Sequence, residues 1–144
     1  MIDSFRGPTR WLSNFEVCDV MYNGCIYPSS EHAYQAAKTF DHDERVAILR
    51  APTPSQAKKL GQKVTLRSDW TPETRIRVML EILTDKFTRN QYLKEKLIAT
   101  GEEDLIEGNN WGDKFWGVCD GVGENNLGKV LMHIRSNLNE NEGA

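Results

Sequence analysis

Thr71-Pro-Glu-Thr-Arg-Ile-Arg-Val-Met-Leu-Glu-Ile-Leu-Thr-Asp-Lys-Phe87 is the stretch on which the fold turns. Thr71 is a good N-cap, and Pro72 suits the first helical position, where its missing N–H is no loss. Beyond them Ile76, Met79, Leu80, Leu83 and Phe87 recur at offsets of 3, 4, 7 and 11. That is the apolar stripe of an amphipathic α-helix, and it predicts a long core helix. The same spacing returns at Leu127, Val130, Leu131, Ile134 and Leu138, with Asn125 or Asn126 as the cap. Shorter helices are expected at about 30–39, 43–50 and 90–99, the last stopping near Gly101. Thr53 caps another, with Pro54 at its first position and Gly61 past its end. Before residue 28 the chain reads as irregular, with short strands around Glu16 to Met21 and Cys25 to Tyr27. Tyr22-Asn23-Gly24 joins them as a hairpin turn, because Asn-Gly accepts positive φ. The expected fold is mainly α: a single compact helical domain over 1–138 with a minor β element near the N-terminus, then a polar tail over 139–144.

Bulk properties narrow the function. With 144 residues the chain suits one domain and can bury a real core. A net charge of −3 excludes general polyanion binding, so any nucleic-acid contact must use a local basic patch. Cys18, Cys25 and Cys119 are odd in number and lack metal-ligand spacing, so they read as reduced thiols of a cytoplasmic protein. No stretch is apolar and long enough to span a membrane, and no leader is recognised. His32, His42 and His133 stand apart from other ligand types, so no metal is expected. Gly121-x-Gly123 lacks the strand context of a dinucleotide fingerprint, and no cofactor is expected. Lys58, Lys59, Lys63 and Arg67 form a modest basic run, whose default reading is a solvated face and whose alternative is a phosphate contact.

Two segments carry chemistry. In Pro28-Ser-Ser-Glu-His-Ala-Tyr-Gln-Ala-Ala-Lys38, Glu31 and Lys38 lie seven residues apart, close to two helical turns. Tyr34 and Gln35 fall between them on the same side, while Ala33, Ala36 and Ala37 let neighbouring backbone approach. The pair is either a solvated charge pair or the chemical face of a site. In Trp111-Gly-Asp-Lys-Phe-Trp-Gly117, two tryptophans offer flat faces and the glycines admit close backbone approach. That segment is either a stacking platform or a tryptophan-anchored plug of the core.

These segments, in order, resemble the YbiA-like family, also called the NADAR family for its association with NAD and ADP-ribose. The resemblance begins at Phe5 and Trp11-Leu-Ser-Asn-Phe15 and runs through Tyr27–Lys38 and Ala57-Lys-Lys-Leu-Gly61. It continues through Trp70, Met79, Lys86-Phe87 and Leu97–Gly101. It ends with Leu105-Ile-Glu107, Trp111-Gly-Asp113, Trp116-Gly117 and Asn125–Met132 up to Arg135. Arg6–Arg10 and the acidic tail depart from the pattern. The resemblance implies cleavage of N-glycosidic bonds between ribose and a base or amine. It implies two substrate groups: ribosylamino-pyrimidine phosphates of early riboflavin synthesis, and ADP-ribose attached to guanine in nucleotide or nucleic acid. A binding module for ADP-ribose without turnover is the remaining alternative.

Breaking a ribose C–N bond builds positive charge at the anomeric carbon and needs a proton for the departing nitrogen. Glu31 and Asp113 are the candidate carboxylates. Lys38 either stabilises an acidic partner or, with a depressed pKa, attacks the anomeric carbon as a Schiff-base nucleophile. Trp111 or Trp116 is expected to stack on the base, and Tyr34, Asn126 and Asn14 complete the candidate binding set. Glu31, Lys38 and Asp113 are expected to converge on one pocket. The amide end of the last helix, near Asn125 to Gly128, is a candidate phosphate seat, with Arg6 and Arg10 as weaker ones.

Overall fold

Helices begin where their cap residues stand. In the protein's structure, a computed structural model that describes residues 1–143, Ser29, Asp41, Thr53 and Thr71 each turn a side-chain oxygen onto the backbone N–H three residues on. Each cap satisfies an amide that has no intrahelical partner, an effect of about 1 kcal/mol apiece. The resulting elements are β1 (Val17–Tyr22), β2 (Cys25–Ser29), α1 (Ser30–Ala37), α2 (His42–Leu49), α3 (Pro54–Gly61), α4 (Pro72–Arg89) and α5 (Gln91–Ala99). They continue with β3 (Gly108–Asn109), β4 (Val118–Cys119) and α6 (Asn126–Gly143), and a 3₁₀ turn covers Gly7–Leu12. The fold is mainly α, as the periodicity predicts. The polar stretch read as a tail continues α6 to Gly143, and Ala144 lies outside the described residues.

The contacts divide the chain into two compact units. The first runs from Asn14 to Asn90. Here β1 and β2 pair antiparallel across Asn23 and Gly24, both at positive φ (51° and 83°), the backbone of a two-residue primed turn. α4 lies along β1, and Asp85 accepts the Met21 N–H at 2.7 Å. Its inner face carries Val78, Met79, Ile82, Leu83, Lys86 and Phe87, all buried. The sequence stripe is thereby corrected: Ile76 and Leu80 are only half-buried. With a strand on one side and α1 on another, the helix turns the 78–82 ridge inward.

All eight residues of α1 are buried against β2, α2, α3 and α4. The alanines make this possible by keeping the helix thin. A helix buried all round must satisfy its polar side chains internally. His32 does so on both nitrogens: Nδ1 lies 2.6 Å from Ser29 Oγ, and Nε2 lies 2.9 Å from the Ala51 carbonyl. A carbonyl only accepts, so Nε2 carries the proton and the Ser29 hydroxyl donates to Nδ1. Burial pushes the imidazole pKa down, with the Ala51 hydrogen bond opposing.

The second unit combines Met1–Ser13 with the chain from Gln91 on. Its core gathers Phe5, Leu12, Leu93, Leu97, Leu105, Leu127, Val130, Leu131, Ile134 and Leu138. Every apolar position marked on the last helix is therefore buried. Ile2 pairs with the segment around Leu105: its N–H reaches Asp104 O at 2.9 Å, and its carbonyl takes the Ile106 N–H at 2.8 Å. The sequence reading did not include β3 and β4, which pair in parallel within the tryptophan loop. Strands of two residues carry no periodicity to read.

Candidate functional site

Glu31 opens the first turn of α1 and is 7% exposed, which excludes a solvated charge pair for this carboxylate. Two residues hold it. The Asn14 carbonyl accepts the Glu31 N–H at 3.0 Å, and Asn14 Oδ1 accepts the Ser30 hydroxyl at 2.9 Å. One turn on, Gln35 Nε2 donates to Glu31 Oε1 at 3.0 Å. Asn14 thus anchors the helix start. Gln35 is itself wedged against α3, where a Cβ on Gly61 would collide with the Gln35 side chain. The glycine lets α3 backbone lie directly on the group that orients the carboxylate. Gln35 Oε1 is buried with no hydrogen-bond partner among the described residues.

Lys38 caps the other end of α1 and is half-buried. Its carbonyl accepts the Arg67 N–H at 2.8 Å, and Arg67 Nη1 reaches the Ala37 carbonyl at 3.2 Å. A guanidinium on the last carbonyls suits the negative end of a helix. Asp69 fixes that guanidinium from the far side, at 2.6 Å to Nε and 2.9 Å to Nη2. Burial lowers the Lys38 pKa, Glu31 opposes, and Arg75 and Lys58 push it further down. The ammonium lies 5.8 Å from the Tyr34 ring centroid. Tyr34 stacks obliquely on Trp70 at 5.4 Å, and its hydroxyl accepts from Arg75 Nε at 3.2 Å. Glu31, Tyr34 and Lys38 therefore share one helix, as their spacing requires. A groove of about 250 Å³ is lined by Thr39, Phe40, Asp41, Thr65, Leu66 and Arg67, and includes neither Glu31 nor Lys38.

In the other unit, Asp113 Oδ1 accepts the backbone N–H groups of Phe115 (3.1 Å) and Trp116 (2.9 Å). Asn109 completes the turn by accepting from Asp113 N at 3.0 Å and donating to Asp113 O at 2.9 Å. The carboxylate therefore has a structural occupation that residue type alone did not reveal. Trp116 is half-buried and meets Phe115 edge-on at 4.8 Å. Trp111 is 55% exposed, with the Arg6 guanidinium 5.7 Å from its ring. Asn126 is buried, and its Nδ2 has no partner among the described residues.

The start of α6 differs from expectation in two respects. Asn125 stands at the cap position with φ 54°, but its side chain reaches away, to Glu107 N at 2.9 Å and Leu105 O at 3.0 Å. The Asn126 and Leu127 amides donate to the Phe115 and Trp116 carbonyls at 3.2 and 3.0 Å. The two amides that hold the tryptophan loop are not available to a phosphate.

Two groups escaped the sequence reading. Lys86 is fully buried, and burial drives its pKa to about 8, with Cys18 and Glu16 opposing. It sits at Leu83 + 3 on the apolar stripe, which was the available signal. Arg75 stands in the first turn of α4, and nothing in its spacing marked it. No group of three or more His, Cys, Asp or Glu able to hold a metal occurs among the described residues, and none of their helices is long and apolar enough to cross a membrane.

Comparison with known proteins adds to this geometry. Residues 4–139 match the NADAR domain model. The chain is 40% identical over 133 residues to a riboflavin biosynthesis protein of Vibrio vulnificus, covering 90% of this chain but 36% of that protein. It is 34% identical to N-glycosidase YbiA of Escherichia coli K12, with 88% of this chain and 80% of the relative covered. An N-glycosidase of Nostoc punctiforme is 35% identical over 91% of this chain and 86% of its own length. The solution structure of Escherichia coli YbiA superposes with a TM-score of 0.85 at 30% identity, covering 99% of this chain and 89% of that one.

Proposed function

The chain belongs to the NADAR domain family, and from that premise we propose that it is an N-glycosidase that hydrolyses the C–N bond between ribose and a base or amine. The observation that carries the reading is α1 itself. It buries a carboxylate, Glu31, on a helix with no solvated face, and it ends in a half-buried lysine, Lys38, whose pKa burial has lowered. A buried carboxylate oriented by an amide on one side and a helix anchor on the other is suited to acid–base work.

In this reading Glu31 delivers a proton to the departing nitrogen as the C1′–N bond breaks. Lys38, more easily deprotonated than a solvated lysine, attacks C1′ through Nζ. The attacking nitrogen passes a proton to the ring oxygen as the sugar opens, and water hydrolyses the iminium of Lys38 with C1′, freeing the sugar and the amine and returning a proton to Glu31. In its own unit, the exposed Trp111 offers a flat face on which a base can stack. Asp113, occupied with two amides of its own loop, shapes that platform. No metal enters this scheme, and activity should survive EDTA. The substrate class we favour is a ribosylamino-pyrimidine phosphate, on the names of the relatives and the chain's net charge of −3.

Purified protein is to be tested side by side on a ribosylamino-pyrimidine phosphate and on ADP-ribosylated guanine. Release of free ribose 5-phosphate from the first, with borohydride trapping a covalent adduct on Lys38, is the expected outcome. Turnover of the second alone would reassign the substrate, and turnover of neither would leave a binding module.

A further inference from the structure

A series of cations and rings runs outward from the end of α1 in the Asn14–Asn90 unit. The Lys38 ammonium lies 5.8 Å from the Tyr34 ring centroid, and that ring lies 5.4 Å from Trp70. The Arg67 guanidinium follows, 5.8 Å from the Trp70 centroid and 4.3 Å from the Phe40 centroid. Its side chain is only 9% exposed, and Asp69 and the Ala37 carbonyl fix it. Phe40 ends the series at 65% exposed. It lines the groove of about 250 Å³ together with Leu66, which is 57% exposed.

The polar side chains of that lining are already engaged. The Thr39 hydroxyl donates to Glu44 Oε1 at 2.6 Å and the Thr65 hydroxyl to Glu44 Oε2 at 3.4 Å, while Asp41 Oδ1 accepts the Glu44 N–H at 2.8 Å. The groove therefore offers a ligand a flat ring and an alkyl side chain more than hydrogen bonds. Single exposed apolar residues are ordinary. Here two share one groove, and a fixed guanidinium braces the ring of one of them. Pockets for whole drug-sized ligands hold ~300–1,000 Å³, so this smaller groove suits one ring system, with the rest of its molecule outside.

We propose that the Phe40–Leu66 groove is a stacking subsite for a planar heterocyclic base. Stacking on an aromatic face tolerates any base and needs no particular hydrogen bond. For its purpose the subsite rests on the glycosidase reading, which supplies the ring, but as a binding site it stands without it. The pyrimidine of a ribosylamino-pyrimidine phosphate and the purine of a nucleotide sugar share this chemistry.

Binding without turnover tests it. Dissociation constants for ribose 5-phosphate, UMP and AMP are measured by calorimetry on the parent, Phe40→Ala, Phe40→Leu, Phe40→Tyr and Leu66→Ala, all at exposed positions. The three probes share a phosphorylated ribose, so the difference between them reads the base. The parent should prefer one nucleotide over ribose 5-phosphate by about tenfold, within the range of a stacked base. Phe40→Ala and Phe40→Leu should remove that preference, Phe40→Tyr should keep it, and Leu66→Ala should weaken it about threefold. The Leu66 methyl resonances should shift with the nucleotide and not with ribose 5-phosphate. Tighter AMP identifies a purine, and tighter UMP a pyrimidine. No preference in the parent, or one left intact in Phe40→Ala, overturns the subsite. So does a preference kept as fully by Phe40→Leu as by Phe40→Tyr, because a flat ring is then not required. A parent that binds a nucleotide through Phe40 yet cleaves no N-glycoside keeps the subsite and removes the glycosidase reading. A parent that cleaves N-glycosides but binds both nucleotides independently of Phe40 does the opposite.

Discussion

The α1 helix and the loop from Trp111 to Gly117 were equally rich in chemical side chains, yet they use them differently. In α1 the backbone satisfies itself, so Glu31, Tyr34 and Lys38 are held by neighbours and aimed by helical geometry. In the loop the backbone has no ladder to join, and side chains must serve it. Asp113 holds two amides, Asn109 brackets the turn, and Asn125 clasps Leu105 and Glu107. Polar side chains in a loop of short strands and glycines are therefore drawn into holding the backbone more than those on a helix.

The sharpest way to break this contrast is Glu31→Gln. The substitution is nearly isosteric and removes ionisation, so kcat should fall about 10²-fold or more while the melting temperature stays close to the parent's. Full activity would sink the assignment of α1 as the chemical element. Next in size is Trp111→Ala. Loss of a stacking face is worth about 1–3 kcal/mol with bases, so KM should rise about tenfold with little change in kcat. An unchanged KM would return Trp111 to the role of a surface residue.

Asp113 sharpens the comparison through a pair of variants. Asp113→Ala removes both acceptor contacts and should lower stability by about 1 kcal/mol. Asp113→Asn keeps an oxygen for the same amides and should retain most of both stability and kcat. If the asparagine variant lost activity as severely as Glu31→Gln, the loop would hold a chemical carboxylate after all. The smallest effect belongs to His32. Its folded pKa lies below the unfolded value of about 6.5, so below that pH the unfolded chain binds the proton more readily. Its contribution is full above about pH 6.5 and is lost as pH falls through the folded pKa. His32→Gln should flatten that part of the stability profile in acid titrations followed by circular dichroism.

How much of this the sequence disclosed follows the same division. The caps at Thr53 and Thr71, the Asn-Gly turn and the α6 stripe were local signals, decided within a few residues. The rotation of α4 was not local. Ile76 and Ile82 are equally apolar, and only packing against β1 and α1 favours the second. The burial of Lys86 follows from that same rotation. In the site, the seven-residue spacing placed Glu31 and Lys38 on one helix, but their holders Asn14 and Gln35 and their neighbour Arg75 depend on contacts from elsewhere in the fold. The occupation of the α6 amides by Phe115 and Trp116 was illegible for the same reason, since no pattern marks a carbonyl that will meet a distant amide.

Gly61 gives the helix arrangement a mechanical property. With no side chain there, the clearance between α3 and Gln35 is set by backbone alone, and Gln35 bears directly on Glu31. Gln35, backed by α3, thus acts as a stop for the carboxylate it holds. A single methyl at position 61 would act as a shim, displacing the stop and shifting the carboxylate it holds.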